Sequence, residues 1–306
     1  MQHIRPYVLP IAIVLGLLLH RWCAMFSFLV PFIIFAILLL TFTAVDLRKL
    51  RLTMLDFWLM LFQVVVSTGC YGLITLFGGS HIVAEGVLIG VLCPVASSVA
   101  VVACLLGANR ETVTTYTIVG NLMVAVVAPV VFCLIGDHPE LDITDSMMLM
   151  FTKIGSTLAL PFFLAALMQF MLPKANAFLA RYNGWGFYFW ALALLFTLGQ
   201  TIDYIFLNGE GNWGSIAWLG GLSLLFCVVQ FGTGRWLGKR YGDIIGGGQL
   251  LGQKNSAMGI WMANTFLSPL SSVFLAFYSI YQNVWNAWQL KVCSTAVAGL
   301  RSRQKS

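Results

Sequence analysis

The chain has 306 residues, of which 59% are hydrophobic and 9% are charged, and its formal net charge is +6. A soluble domain carries about 25% charged residues, so the composition excludes a soluble globular protein and indicates a polytopic helical membrane protein. The positive charge does not indicate nucleic-acid binding, because it lies in short connections between apolar segments.

Ten apolar segments are long enough to cross about 30 Å of hydrocarbon. They are residues 6–20, 25–44, 54–77, 82–106, 112–136, 147–171, 186–205, 214–234, 244–266 and 269–290. Of the 17 lysines and arginines, fourteen fall in connections on the side of the N-terminus, Arg21 alone falls on the other side, and Lys153 and Lys254 lie within spans. By the positive-inside rule, this split predicts ten transmembrane helices with both termini in the cytoplasm.

Ten spans divide into two halves of five, so we predict a first repeat at about 1–136, a second at about 147–292 and a cytoplasmic tail at 293–306. Because each half has an odd number of spans, the second half enters the membrane inverted. Span three reads "LFQVVVSTGCYG" and span eight reads "LFCVVQFGTGRWLG", which share LFxVV, then Thr-Gly, then an aromatic residue two positions on. The sequence therefore predicts a single all-α transporter domain, residues 1–306, made of two inverted repeats.

Spans four and nine, which are equivalent in the two halves, both contain residues that disfavour a helix. Span four holds Pro94, which lacks a backbone donor, followed by Ser97 and Ser98. Span nine holds the polar run 253–256, and we expect its glycines to interrupt the helix as well: Gly246, Gly247, Gly248 and Gly252. Simple kinks are the alternative, but paired broken helices at matching positions are the best sequence indication of a transporter's site.

These motifs resemble the bile acid:sodium symporter family over essentially the whole chain. "CPVASS" at 93–98 resembles the family's Cys-Pro-Gly-Gly segment followed by Ser-Asn, and "GQKNS" at 252–256 resembles its Gly-x-Gln-Asn-Ser. Gln63 matches a glutamine that family members carry in span three, and "YQN" at 281–283 resembles an aromatic-His-Asn stretch. The resemblance implies a core of spans three to five and eight to ten, with broken helices four and nine crossing, and a panel of spans one, two, six and seven. It also implies sodium-coupled inward transport of organic anions by alternating access, in a bacterial inner membrane.

The sodium sites that the resemblance implies look degraded in this chain. Leu250 stands at the position of a family glutamate, and Lys254 stands at the position of a family glutamine. Thr117 matches a threonine of span five, whereas Val113 replaces a serine one turn earlier. The residues expected to hold a coupling ion, or to substitute for it, are Lys254, Gln253, Gln249, Gln63, Thr117 and Asn121.

Lys254 brings a cation to a place where we expect no carboxylate. An unpaired ammonium at the bilayer centre costs at least about 2.5–3.5 kcal/mol, so Lys254 loses its proton, pairs with carbonyls of the unwound segment, or pairs with a substrate anion. Our hypothesis is that the ammonium replaces a coupling sodium ion, which makes transport either facilitated or proton-linked. In the alternative, Lys254 reaches water in a neighbouring cavity and sodium still binds through Gln249, Gln253, Thr117 and backbone carbonyls.

The helix N-termini at the two breaks present partial positive charge, which favours a small or amphipathic organic anion as substrate. We expect its hydrogen-bond donors to be Ser97, Ser98, Asn255, Ser256 and Asn283. Sodium is the candidate coupling ion, and no cofactor is predicted, because the cysteines show no metal-ligand spacing. The predicted partners are the substrate and the lipid bilayer.

Three other functions stay open on the sequence. A sodium/proton-antiporter-like exchanger also crosses two broken helices, but it usually carries an aspartate at the crossing. An intramembrane hydrolase needs a catalytic set at membrane depth. For Ser98 and Ser256, the sequence offers no histidine within an apolar span except His20, at the end of span one. A channel fits the inverted repeat poorly. The sequence therefore favours a transporter over an enzyme.

Overall fold

The computed structural model describes residues 11, 14–96, 99–135, 143–208 and 210–303, which form helices joined by short connections. Five of the described helices are long and apolar enough to cross a membrane: Met54–Leu76, Arg110–Ile135, Phe151–Met171, Asn183–Leu207 and Trp213–Arg240. Ser27–Thr43 and His81–Leu92 are shorter apolar helices. The chain is therefore an all-α protein of the membrane-embedded class.

The helices follow the apolar segments of the sequence. In chain order they are α1 (His20–Met25), α2 (Val30–Thr43), α3 (Met54–Leu76), α4 (His81–Leu92), α5 (Val99–Leu106), α6 (Arg110–Ile135), α7 (Ile143–Met171), α8 (Pro173–Ala180), α9 (Gly186–Asn208), α10 (Trp213–Arg240), α11 (Ile244–Gly252), α12 (Ser256–Phe266) and α13 (Val273–Arg303). Short 3₁₀ turns lie at Ser27–Leu29, Leu47–Lys49, Asn183–Trp185 and Pro269–Ser272. Of the predicted span 6–20, residues 6–10, 12 and 13 lie outside the described residues. The helix α13 continues into the predicted tail, where we expected the last span to end near residue 290.

The glycines of span nine do not interrupt it, so that prediction was wrong. All four lie inside α11, and the helix ends only where the polar run begins. They allow α11 to approach α10 backbone to backbone: a Cβ on Gly247 would lie 2.3 Å from the carbonyl oxygen of Gly234, and one on Gly252 would lie 2.4 Å from the Phe231 ring. Glycine costs a helix about 1 kcal/mol, and here the close contact of the two helices offsets that cost.

Gly234→Ala is expected to lower the thermal stability of the detergent-purified protein. The new Cβ would lie 2.2 Å from the Gly247 carbonyl oxygen, and overpacking of this kind costs about 1–3 kcal/mol. The control is Gly232→Ala, two residues away on the same helix, where a Cβ meets nothing within 4 Å. Because alanine is the better helix former, this control should match or exceed the wild type. Equal unfolding midpoints for the two variants would contradict the close approach.

The helices pack in two groups. In the first group, α2 packs against α7, α8 and α9, and α9 packs against α1. In the second group, α3 packs on α4 and α6, while α10 packs on α11 and α13. The two groups meet where α6 packs on α7 and where α9 packs on α12. Both interrupted helices, α4–α5 and α11–α12, belong to the second group.

Candidate functional site

The first break lies between α4 and α5, where Pro94 follows the end of α4. The last carbonyls of a helix have no partner within that helix, and here a neighbouring helix supplies the donors. The Gln63 Nε2 amide of α3 donates to the carbonyl oxygens of Leu92 and Cys93, at 2.6 and 2.8 Å. The Tyr116 hydroxyl of α6 donates to Gln63 Oε1 at 3.0 Å and fixes the amide. Two helices thus hold the first break.

The second break lies between Gly252, the last residue of α11, and Ser256, the first of α12. The Tyr278 hydroxyl of α13 donates to the Gly252 carbonyl oxygen at 2.7 Å. The Gln230 Nε2 amide of α10 donates to that hydroxyl at 3.2 Å. A glutamine and a tyrosine from two flanking helices therefore hold this break too.

The two breaks lie against each other, and we call residues 91–96 and 252–256 the junction. Val95 and Lys254 form an isolated antiparallel bridge. On either side of it, Ala96 N donates to Gln253 O at 3.1 Å and Asn255 N donates to Pro94 O at 2.8 Å. Each break thus satisfies backbone groups that the other releases, as irregular backbone inside a membrane requires.

Lys254 is the buried lysine of the junction, with 1% of its surface exposed. Its Nζ donates to the carbonyl oxygen of Val91, in the last turn of α4, at 2.8 Å. The C-terminal end of a helix carries partial negative charge, so a cation there is stabilised. The Gln282 side chain of α13 accepts from Lys254 N at 2.8 Å and donates to Lys254 O at 3.1 Å. The structure contains the contact with a backbone carbonyl, which an ammonium and a neutral amine can both make.

Asn255 and Ser256 lie at the start of α12 and are buried. Asn255 Oδ1 accepts from Met258 N at 3.3 Å and caps the helix. Ser256 Oγ accepts from Gln282 Nε2 at 3.2 Å. The groups of these two side chains that suit an anion are therefore the Asn255 amide nitrogen and the Ser256 hydroxyl hydrogen. Ser97 and Ser98, the predicted donors of the first break, lie outside the described residues.

Two predicted coupling residues bond within their own helix, α6. Thr117 Oγ1 donates to Val113 O at 2.7 Å. The amide nitrogen of Asn121 donates to Thr117 O, and its Oδ1 is buried without a hydrogen-bond partner among the described residues. These contacts tie both side chains to the helix backbone, not to the junction.

Two further predicted residues have contacts along α13. Asn283 Nδ2 donates to Ser279 O, in the same helix, at 2.6 Å. Gln249 Nε2 lies 3.0 Å from Asn286 Oδ1 and 2.6 Å from Gln289 Oε1. The predicted site residues that meet at the junction are thus Gln63, Gln253, Lys254, Asn255 and Ser256, while Thr117, Asn121, Gln249 and Asn283 bond elsewhere.

Two residues of α13 reach the junction, Tyr278 and Gln282, and the second is the neighbour of the predicted Asn283. Sequence reasoning also missed Tyr116 and Tyr278 as residues that hold the breaks. A signal was present, because the polar residues Tyr278, Gln282 and Asn286 follow one another at intervals of four in an apolar span. That spacing places them on one face of a helix.

Comparison of the chain with protein-family models and with curated proteins found no match. The function of the chain is therefore argued from its motifs and from the geometry of the junction. His20, the histidine considered for a hydrolase, lies with its Nδ1 2.6 Å from Asp203 Oδ1 of α9. The described residues contain no group of three or more His, Cys, Asp or Glu that could hold a metal ion.

Proposed function

We propose that this chain is a secondary transporter of a small or amphipathic organic anion. The observation that carries the proposal is the junction, where two broken helices meet and enclose the Lys254 amino group. Transporters build substrate sites from discontinuous helices, since the freed backbone groups and helix ends bind ions and charged substrates. In this proposal the chain has ten transmembrane helices, two inverted repeats and cytoplasmic termini, as in the bile acid:sodium symporter family.

Matching contacts in the two halves support the inverted repeat. Gln63 and Tyr116 hold the first break, from helices that correspond to spans three and five. Gln230 and Tyr278 hold the second break, from helices that correspond to spans eight and ten. The same two residue types thus act from equivalent helices, although tyrosine and glutamine exchange the role of direct donor.

The packing in two groups supports a core that moves against a panel. The group that contains α3 to α6 and α10 to α13 surrounds the junction, and α7 and α9 of the other group pack against its helices α6 and α12. The residues Lys254, Asn255 and Ser256 are buried, so the junction is closed in this conformation. Movement of one group along the other would open the junction to one side of the membrane at a time.

In this proposal the Lys254 ammonium occupies the role of a coupling sodium ion. It neutralises the carbonyl end of α4 from within the chain, and Leu250, which is buried, stands where a sodium carboxylate is implied. A covalently attached cation is not released on either side, so it does not draw on a sodium gradient. Transport is therefore independent of sodium.

Uptake into proteoliposomes tests this function. The purified protein would be given labelled benzenesulfonate, glutarate and cholate, with sodium or choline as the only cation. We expect the same rate of uptake with either cation, stimulated by the unlabelled anion inside, and no uptake into protein-free liposomes. A strict requirement for sodium would contradict the role of Lys254, and the absence of anion exchange would contradict a transporter of these anions.

A further inference from the structure

Asp56, in the first turn of α3, is the acid that accompanies Lys254 in the interior. Among the described residues, Asp56 is the one buried aspartate or glutamate and Lys254 is the one buried lysine or arginine. Asp56 is 0% exposed. Its Oδ2 accepts from the backbone nitrogen and the hydroxyl of Thr53, at 2.7 and 2.8 Å, in a capping box. Its Oδ1 is buried without a hydrogen-bond partner among the described residues. The cap thus uses one carboxyl oxygen and leaves the other bare.

In the described part of the chain, no cation lies beside Asp56 to balance a negative charge. Among the described residues, no lysine, arginine or histidine nitrogen lies within 4.0 Å of it. The helix α11, which packs on α3, carries no charged residue. The titratable or charged residues on the other helices that pack against α3 are His81 and Glu85 of α4, Arg110, Glu111, Tyr116 and Cys133 of α6, and Cys227, Arg235, Lys239 and Arg240 of α10. Since an ionised carboxylate with a bare oxygen is costly in such surroundings, this conformation suits the neutral acid.

Asp56 is linked to the junction by the residues that hold the first break. Asp56 and Gln63 are seven residues apart, so they share a face of α3 about 10 Å apart along its axis. Leu55 and Leu59, on either side of Asp56 in α3, pack in the same buried cluster as Tyr116, and the Tyr116 hydroxyl donates to Gln63. Gln63 in turn donates to Leu92 and Cys93, next to the Val91 carbonyl that binds Lys254. A change of charge at Asp56 therefore acts on the junction through two side chains.

We propose that Asp56 binds a coupling proton, so that one proton and one monoanion cross together. The proposal rests on the transport function above. When Oδ1 is protonated, the Lys254 ammonium is the single buried charge among the described residues, and the interior favours an anion. When the proton leaves to water, the Asp56 carboxylate balances Lys254 and the interior no longer favours an anion. By Coulomb's law the Asp56 carboxylate also repels an anion at the junction, so its ionisation lowers the affinity for the anion.

Infrared spectroscopy of the full chain in lipid vesicles tests the proton site without any substrate. A pH titration should show the carbonyl-stretch band of a buried carboxylic acid in the wild type. Asp56→Asn removes the proton site but keeps an oxygen that can accept from Thr53, so the cap is retained. The matched control is Asp46→Asn, an exposed acid in the loop before α3 whose side chain pairs with Lys49 at 3.7 Å. We expect the band to vanish in Asp56→Asn and to persist in Asp46→Asn; a band that persists in Asp56→Asn overturns the proposal.

Proton flux tests the coupling. Vesicles that contain a pH-sensitive dye would receive an inward gradient of benzenesulfonate, which stays ionised at every pH used and carries no proton itself. We expect acidification of the lumen with the wild type and with Asp46→Asn, and at least tenfold slower acidification with Asp56→Asn. Equal acidification by Asp56→Asn overturns the proposal. Benzenesulfonate uptake without acidification in the wild type also overturns it while leaving the transport function intact.

Discussion

Lys254→Met is expected to reduce anion uptake roughly 10- to 100-fold, because it removes a charge-assisted hydrogen bond worth about 1.5–3 kcal/mol. Methionine keeps an apolar stem of similar length but leaves the Val91 carbonyl, now 2.8 Å from Nζ, without its donor. It also removes the buried positive charge that attracts an anion to the junction. The measurement is the initial rate of labelled benzenesulfonate uptake in proteoliposomes that contain equal amounts of folded protein.

The control for this experiment is Lys153→Met, because Lys153 is the other lysine within a span and its side chain is exposed on α7. That variant should transport at the wild-type rate. Lys254→Gln adds a second arm, since its amide supplies an oxygen where the ammonium was. We expect its residual uptake to rise when sodium replaces choline. Wild-type uptake by Lys254→Met in both salts would show that the ammonium has no part in transport.

The positions of the two breaks could be predicted from the sequence because their causes are local. Pro94 lacks a backbone donor, and a run of four polar residues ends the apolar helix at 253. The prediction that the glycines of α11 interrupt the helix was wrong because the reason for these glycines lies in another helix. Gly247 is required by the backbone of Gly234, and a sequence shows the weak helix former without showing the neighbour that needs it.

The partner of Lys254 could not be predicted for a different reason. Its acceptor is a backbone carbonyl 163 residues away, and every residue carries such a group, so no residue type identifies it. The burial of Asp56 could not be predicted from the sequence either. Thr53 and Asp56 form an ordinary capping pair in the sequence, and it is the packing of other helices on α3 that removes the carboxyl group from water.

Gln63→Leu is expected to give the largest loss of stability, because one side chain serves three buried groups. The substitution removes the donor of the Leu92 and Cys93 carbonyls and the acceptor of the Tyr116 hydroxyl. Each buried group left without a partner costs about 1–3 kcal/mol. We therefore expect the free energy of unfolding to fall by at least about 2 kcal/mol, measured by circular dichroism during titration of mixed micelles with dodecyl sulfate.

Two variants place this loss at the break rather than in α3 as a whole. Thr68→Val removes a hydroxyl of the same helix that donates only to the α3 backbone, at 2.8 Å from Val64 O, so its stability should match the wild type. Tyr116→Phe leaves a single group, Gln63 Oε1, without its donor and should lose less stability than Gln63→Leu. A leucine variant as stable as Thr68→Val would mean that water satisfies the end of α4. In that case the junction would be a solvated cavity, and a fixed cation would not be needed to close it.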